Sequence, residues 1–190
     1  MQYPENGSEF LHHEPCGHCG SSDGNHQRAP KDKAMLKGTP IALRKRGLTE
    51  EHCRKFRIHK DGDTLRMHYF DKKGKVCAAK VKTKDKKFWM EGDNVDHQLF
   101  GQNLFPDTGT RLTIYEGELD AASGYAAMPT WPHMSIPNGA AAAKKDIQKV
   151  IDLCQGYETV VFFFDHDDAG IQAAQDCAAI LPPGKAKIAR

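Results

Sequence analysis

The chain has 190 residues, 39% of them apolar, with 17 glycines and a formal charge of +2. That composition excludes wholesale disorder and a collagen-like repeat, and a chain of this length buries enough surface to fold without disulfides. Its longest run of large apolar residues is five, Val160 to Phe164, against the roughly 20 that a membrane-spanning helix needs.

The first ten residues, MQYPENGSEF, have no basic start and no apolar stretch, so they are not a secretory signal. The six cysteines are then expected as reduced thiols of a cytoplasmic protein. Residues 1–40 are rich in Gly, His, Pro, Ser and Asn and show little periodicity, as expected of an arm and linker. Within them Cys16-Gly17-His18-Cys19 is a C-x₂-C knuckle, half of a zinc ribbon. No second C-x₂-C comes after it. His12, His13, His18 and His26 are the substitutes at hand, so any zinc held with Cys16 and Cys19 is expected to be weakly bound.

Residues 41–110 are expected to form a small basic α+β unit. Thr49 is a good N-cap, with Glu50 and Glu51 in the following turn, so LTEEHCRKF reads as a short helix. TLRMHYF and KVCAAKVK flank Asp71-Lys72-Lys73-Gly74, a hairpin with a glycine-containing turn. Between 71 and 91, eight lysines stand against Asp71, Asp85 and Glu91, net +5. Lys80, Lys82, Lys84 and Lys86 are spaced by two and are expected to share one strand face. They read either as a polyanion-binding row or as a solvated guard on a strand edge. Phe88 and Trp89 beside them are expected to close a small core, with base stacking as the alternative. Cys53, Cys77, Cys154 and Cys177 read as small core residues.

The pattern changes at Arg111. RLTIY is a strand, ELDAASGYAAM a helix, HMSI a strand, AAAAKKDIQKVIDLC a single helix, ETVVFFF a strand buried on both faces, AGIQAAQDCAAIL a helix and KAKIA a last strand. Such alternation with short loops defines an α/β fold, a parallel sheet flanked by helices. Residues 1–110 hold 20 Lys/Arg against 15 Asp/Glu, net +5, whereas 111–190 hold 7 against 10, net −3. A basic part joined to an acidic part suggests a polyanion held near an acidic metal site.

Ligands of such sheets bind beyond the carboxyl ends of the strands. Glu116 comes directly after the first strand there, and Asp165 and Asp167 come after the third. Carboxylates converging at that edge repel unless a cation is bound, and hard oxygen donors favour Mg²⁺ or Mn²⁺. Asp165, placed after three phenylalanines, is expected at the mouth of a buried strand, where a lone charge is costly. Asp167 or Asp168 is also expected to cap the helix after it. Glu118 and Asp120 read as first-turn residues that favour a helix dipole.

A strand followed by Glu-Gly, and a later strand ending in Asp-x-Asp-x-Ala-Gly, resemble the TOPRIM fold of primases, topoisomerases and some nucleases. In order, RKRGLTEEHCRKF, the run Lys80 to Lys87, LFGQNLF, IYEGELDA, NGAAAAKK, FFFDHDDAG and ILPPGKAKIA resemble the primase half of T-odd phage primase–helicases. The likeness covers about residues 10–28 and 41–190. It implies a TOPRIM domain over 111–190, shortened at its C-terminus, after a basic polymerase subdomain and an incomplete zinc ribbon. It also implies a DNA primase that makes short RNA primers on single-stranded DNA from ribonucleoside triphosphates. Glu116, Asp165 and Asp167 would then be the catalytic metal-binding set. Lys80, Lys82, Lys84 and Lys86 would contact nucleotide and template. No G-x₄-G-K-[ST] occurs in the chain, so a helicase motor would be a separate partner. A metal-dependent TOPRIM nuclease and a degenerate single-stranded-DNA-binding module are the rival readings.

Overall fold

The structure is a computed structural model that describes residues 36–94 and 96–189. Cys16, Cys19 and the rest of the zinc-ribbon remnant lie outside the described residues.

The first half builds an antiparallel sheet in the order β1-β2-β3-β4-β5: β1 Thr39–Pro40, β2 Ile58–Asp61, β3 Thr64–Phe70, β4 Val76–Lys82 and β5 Phe88–Gly92. The β3–β4 hairpin forms for the reason its turn suggests. The Asp71 carboxylate accepts from the N–H groups of Lys73 and Lys75 at 2.9 Å, and Gly74 takes the positive φ of 74° that closes the turn. Helix α1, Glu50–Lys55, starts at Thr49, whose hydroxyl accepts from His52 N–H at 3.2 Å. The imidazole of His52 answers from the third helical position, a capping box with histidine where Glu or Gln is usual.

The second half is a four-stranded parallel sheet in the order β7-β6-β8-β9: β6 Gly109–Tyr115, β7 His133–Ser135, β8 Tyr157–Phe163 and β9 Ala186–Ile188. Helices α2 (Glu118–Ala127), α3 (Ala143–Lys149), α4 (Ile151–Gly156) and α5 (Asp168–Ala178) connect them. Leu112, Ile114, Val160 and Phe162 point to one face and form a buried core with Ile147, Cys154, Ala174 and Cys177. Burial pushes the thiols of Cys154 and Cys177 up to about 12, as befits small core residues. A second core joins the two sheets: Phe56, Ile58, Met67, Tyr69, Ala78 and Phe100 pack with Ala122 of α2.

Three expectations are corrected. The stretch 140–154 is not one helix. It runs as a 3₁₀ turn (Ala140–Ala142), α3 and α4, broken at Val150, whose φ of −116° and ψ of 27° leave the helical region and whose N–H bonds Ile147 O, three residues back. Strand β8 is not buried on both faces. Tyr157, Val160 and Phe162 are buried, but Phe163 is 51% exposed, because α2 covers only the β6–β7 side of that face. An apolar groove of about 490 Å³, lined by Tyr115, Trp131, Val161 and Phe163, lies there. Phe88 and Trp89 do not close a core either: they are 52% and 43% exposed.

Candidate active site

Strands β6 and β8 are parallel neighbours in the register Tyr115↔Phe163, so the segments that leave their carboxyl ends emerge at the same sheet edge. Glu116 leaves β6 there. Its Oε1 accepts from Ala140 N–H at 3.3 Å and its Oε2 from Asp165 N–H at 3.5 Å. The first donor is available because Gly139, with φ of 70°, turns the chain into the 3₁₀ segment. Glu116 is thus held between the β7–α3 loop and the end of β8.

Asp165 and Asp167 lie on the exposed connection from β8 to α5. Asp165 is open to water, so the desolvation cost expected for its charge does not arise. Asp167 is the N-cap of α5: its Oδ1 accepts from Gly170 N–H at 2.8 Å. That leaves Oδ2 outside the cap bond. Gly170 is required for this turn to be tight, since a Cβ there would overlap the backbone of Asp165. Gly170→Ala is therefore expected to destabilise the protein by about 1–3 kcal/mol through overpacking, read by denaturant unfolding. An unchanged midpoint would show that the loop has slack.

The three carboxylates share an edge but do not close around one point. Among the described residues no three Asp, Glu, His or Cys side chains are grouped to hold a metal ion. The donor set still fits a hard divalent cation: all oxygen, with Asp165 exposed and Asp167 using a single oxygen for its cap.

The lysines divide. Strand β4 ends at Lys82, so only Lys80 and Lys82 share a strand face; Lys84 and Lys86 belong to the turn before β5, where Lys86 has φ of 61°. Lys84 pairs with Asp63 at 2.7 Å on the surface. Lys82 lies over the Phe88 ring at 5.1 Å. Lys80 crosses between the sheets: its ammonium meets Glu118 at 2.8 Å and donates to Pro137 O at 2.9 Å.

Glu118 is a first-turn acid of α2, as expected, and also has partners outside its helix that the sequence did not signal. It is 4% exposed and accepts from the Tyr69 hydroxyl at 2.7 Å as well as from Lys80. Burial, together with the Glu118 charge, raises the Tyr69 hydroxyl well above its ordinary value. Glu118, Tyr69 and Lys80 form one tie that fixes α2 to the first sheet. Tertiary folding alone brings it together, since 49 positions separate Tyr69 from Glu118.

Residues 113–190 match the Toprim-like family. The DNA helicase/primase of Enterobacteria phage T3 is 30% identical over 228 aligned positions, which cover 97% of this chain and 40% of that protein. The primase fragment of the bacteriophage T7 primase–helicase protein is 32% identical, with a TM-score of 0.74 over 80% of this chain and 66% of that one. The primase domains of the bacteriophage T7 protein, solved with lagging-strand DNA polymerase, an RNA/DNA hybrid and dTTP, are 31% identical, with a TM-score of 0.72 over 81% of this chain and 80% of that one. The α/β fold is therefore that of a TOPRIM-containing primase. The chain belongs to the DNA primase family of the T-odd phage primase–helicases, and spans 40% of the length of the T3 relative. Among the described residues no helix is long and apolar enough to cross a membrane.

Proposed function

We propose that the chain is a DNA primase module that joins ribonucleoside triphosphates on single-stranded DNA. The observation that carries this reading is the β6–β8 register, which delivers Glu116 and Asp165 to one edge, facing the lysine-bearing sheet across the Lys80–Glu118 tie. The 3′-hydroxyl of one nucleotide attacks the α-phosphate of the next, the new P–O bond forms, and pyrophosphate leaves with the bonding electron pair. Glu116, Asp165 and Asp167 would hold Mg²⁺ or Mn²⁺, which supplies activation of the hydroxyl and neutralisation of phosphate charge. Glu116 is oriented for this by the Ala140 and Asp165 N–H groups, and Asp167 by its place at the head of α5. Lys82, Lys84 and Lys86 attract the polyanion, while Lys80 holds the two sheets together beside it.

Incubation with single-stranded DNA, labelled ribonucleotides and magnesium tests the reading by product size. Short labelled oligoribonucleotides support it; shortened DNA favours the nuclease; retained DNA without either product favours a binding module. Cys16 and Cys19 enter only as a weak zinc site, and a helicase as a partner, fused or separate.

The lysine assignment has its own test. If Lys82, Lys84 and Lys86 each neutralise one phosphate, changing all three to alanine should lower the logarithmic salt slope of single-stranded DNA binding by about 2, at roughly 0.7 per contact. A slope that does not move would make them solvated surface.

A further inference from the structure

Strand β5 breaks the period-two rule. Successive residues of a strand point to opposite faces, so one of two neighbours is normally covered. Phe88, Trp89 and Met90 are all uncovered, at 52%, 43% and 37% exposure. Among the described residues the strand is an edge, paired only with β4, and neither of its faces has a complete partner layer.

The cross-strand pairs say which side is which. Met90 lies opposite Lys80, and Phe88 opposite Lys82, so these four side chains share a face. It is the face that Lys80 uses to reach Pro137 O and Glu118. Phe88 and Met90 therefore extend the junction between the sheets as an apolar shelf. A groove of about 360 Å³ lies on it, with Lys80 and Phe88 on one wall and Pro137, Asn138 and Gly139 on the other. The next residue after that wall is Ala140, whose N–H holds Glu116. The groove thus opens beside the carboxylate edge.

Its charge is graded. At the Phe88 end the Lys82 ammonium stands 5.1 Å from the ring centroid, with Lys84, Lys86 and Lys87 on the adjoining turn. Beyond Met90 and Asn138 the trough continues into a smaller cavity of about 200 Å³ of mixed charge, lined by Asp93, Asp146, His97 and Lys149. A phosphate backbone is drawn to the lysine-bearing end. An exposed aromatic ring beside cations, in a groove, is an arrangement that stacks an unpaired base while its phosphates meet the cations.

We infer that Phe88 is the stacking platform for one unpaired base of single-stranded DNA, with Met90 as the floor of the groove and the Pro137–Gly139 loop as its opposite wall. This rests on the proposal that the chain works on single-stranded DNA. It adds that the lysine turn grips a strand one of whose bases stacks on Phe88. Base–aromatic stacking is tolerant of sequence, so the site takes any base.

The test compares an oligothymidylate with an abasic oligomer of the same length and charge. Trp131→Phe leaves Trp89, next to Phe88, as the lone indole, and its fluorescence reports binding. The base-bearing strand should bind about tenfold tighter than the abasic one, the size expected of one stacked base. Phe88→Ala should remove that preference while leaving the abasic affinity in place, and Phe88→Trp should retain it. Phe88 is half exposed, so these variants remove little packing, which thermal unfolding checks. Equal affinity for the two oligomers, or a preference that survives Phe88→Ala, overturns the inference. Primer synthesis run on the same preparation separates the two readings. RNA products without base preference sink the stacking site alone. A base preference without RNA products sinks the primase reading and leaves the stacking site standing.

Discussion

Asp165→Ala is expected to reduce primer synthesis by about a thousandfold or more while single-stranded DNA binding survives. The side chain is exposed and makes no packing contact that the fold needs, so the loss would report the chemistry and not the fold. Removing one anionic ligand takes away several kcal/mol of stabilisation for charge on the transferring phosphate. Glu116→Ala should behave alike. Asp167 needs a different substitution, because its carboxylate also caps α5. Asp167→Ala loses the cap, at about 1 kcal/mol, together with the charge, whereas Asp167→Asn keeps an acceptor for Gly170 N–H and isolates the charge. The measurements are labelled product per unit time, affinity for an oligomer, and the unfolding midpoint. Full synthesis by Asp165→Ala would remove this residue from the site.

The second large effect is on stability. Glu118→Ala should cost about 3 kcal/mol, since it strands the Lys80 ammonium and the Tyr69 hydroxyl at the junction between the sheets. Lys80 keeps some access to water, which places the figure at the lower end for a broken buried pair. The double replacement Glu118→Leu with Lys80→Met should recover the part of the loss that the stranded ammonium costs, while the Tyr69 hydroxyl still lacks its acceptor. Denaturant unfolding of the single and double variants decides it. A loss under about 0.5 kcal/mol for Glu118→Ala would mean that water replaces the carboxylate and that the tie carries little.

The elements that were legible in the sequence are those with a local cause. The β3–β4 hairpin is dictated by Asp71 and Gly74, which make the turn from their own side chain and backbone freedom. The parallel sheet arises from short apolar runs separated by helical stretches, and the β6–β8 neighbourhood then places Glu116 near Asp165. The features that were not legible depend on partners distant in sequence. Whether Phe163 is covered depends on how far α2 reaches across the sheet, and the run of three phenylalanines carries no trace of that. Spacing by two put four lysines on one face, but β4 stops at Lys82, and beyond a turn the alternation no longer holds. Glu118 looked like an ordinary first-turn acid because its two partners lie on β3 and β4. The family resemblance pointed to Glu116, and nothing local separated Glu118 from a residue that merely favours a helix dipole.

Strand β5 also bears on how the protein behaves in a tube. Among the described residues it leaves a row of backbone N–H and C=O groups open beside three uncovered apolar side chains, which is a template for a second copy to extend the sheet. Lys86 and Lys87, on the turn before the strand, put like charges beside that edge and should oppose such pairing. Colloidal stability therefore rests on the reach of a few charges at one turn. At about 1 M salt that reach shrinks to roughly 3 Å, and concentrated protein should begin to associate through this edge. Dilute buffer should keep the molecules separate, and an oligonucleotide seated on the shelf would do so by covering the edge.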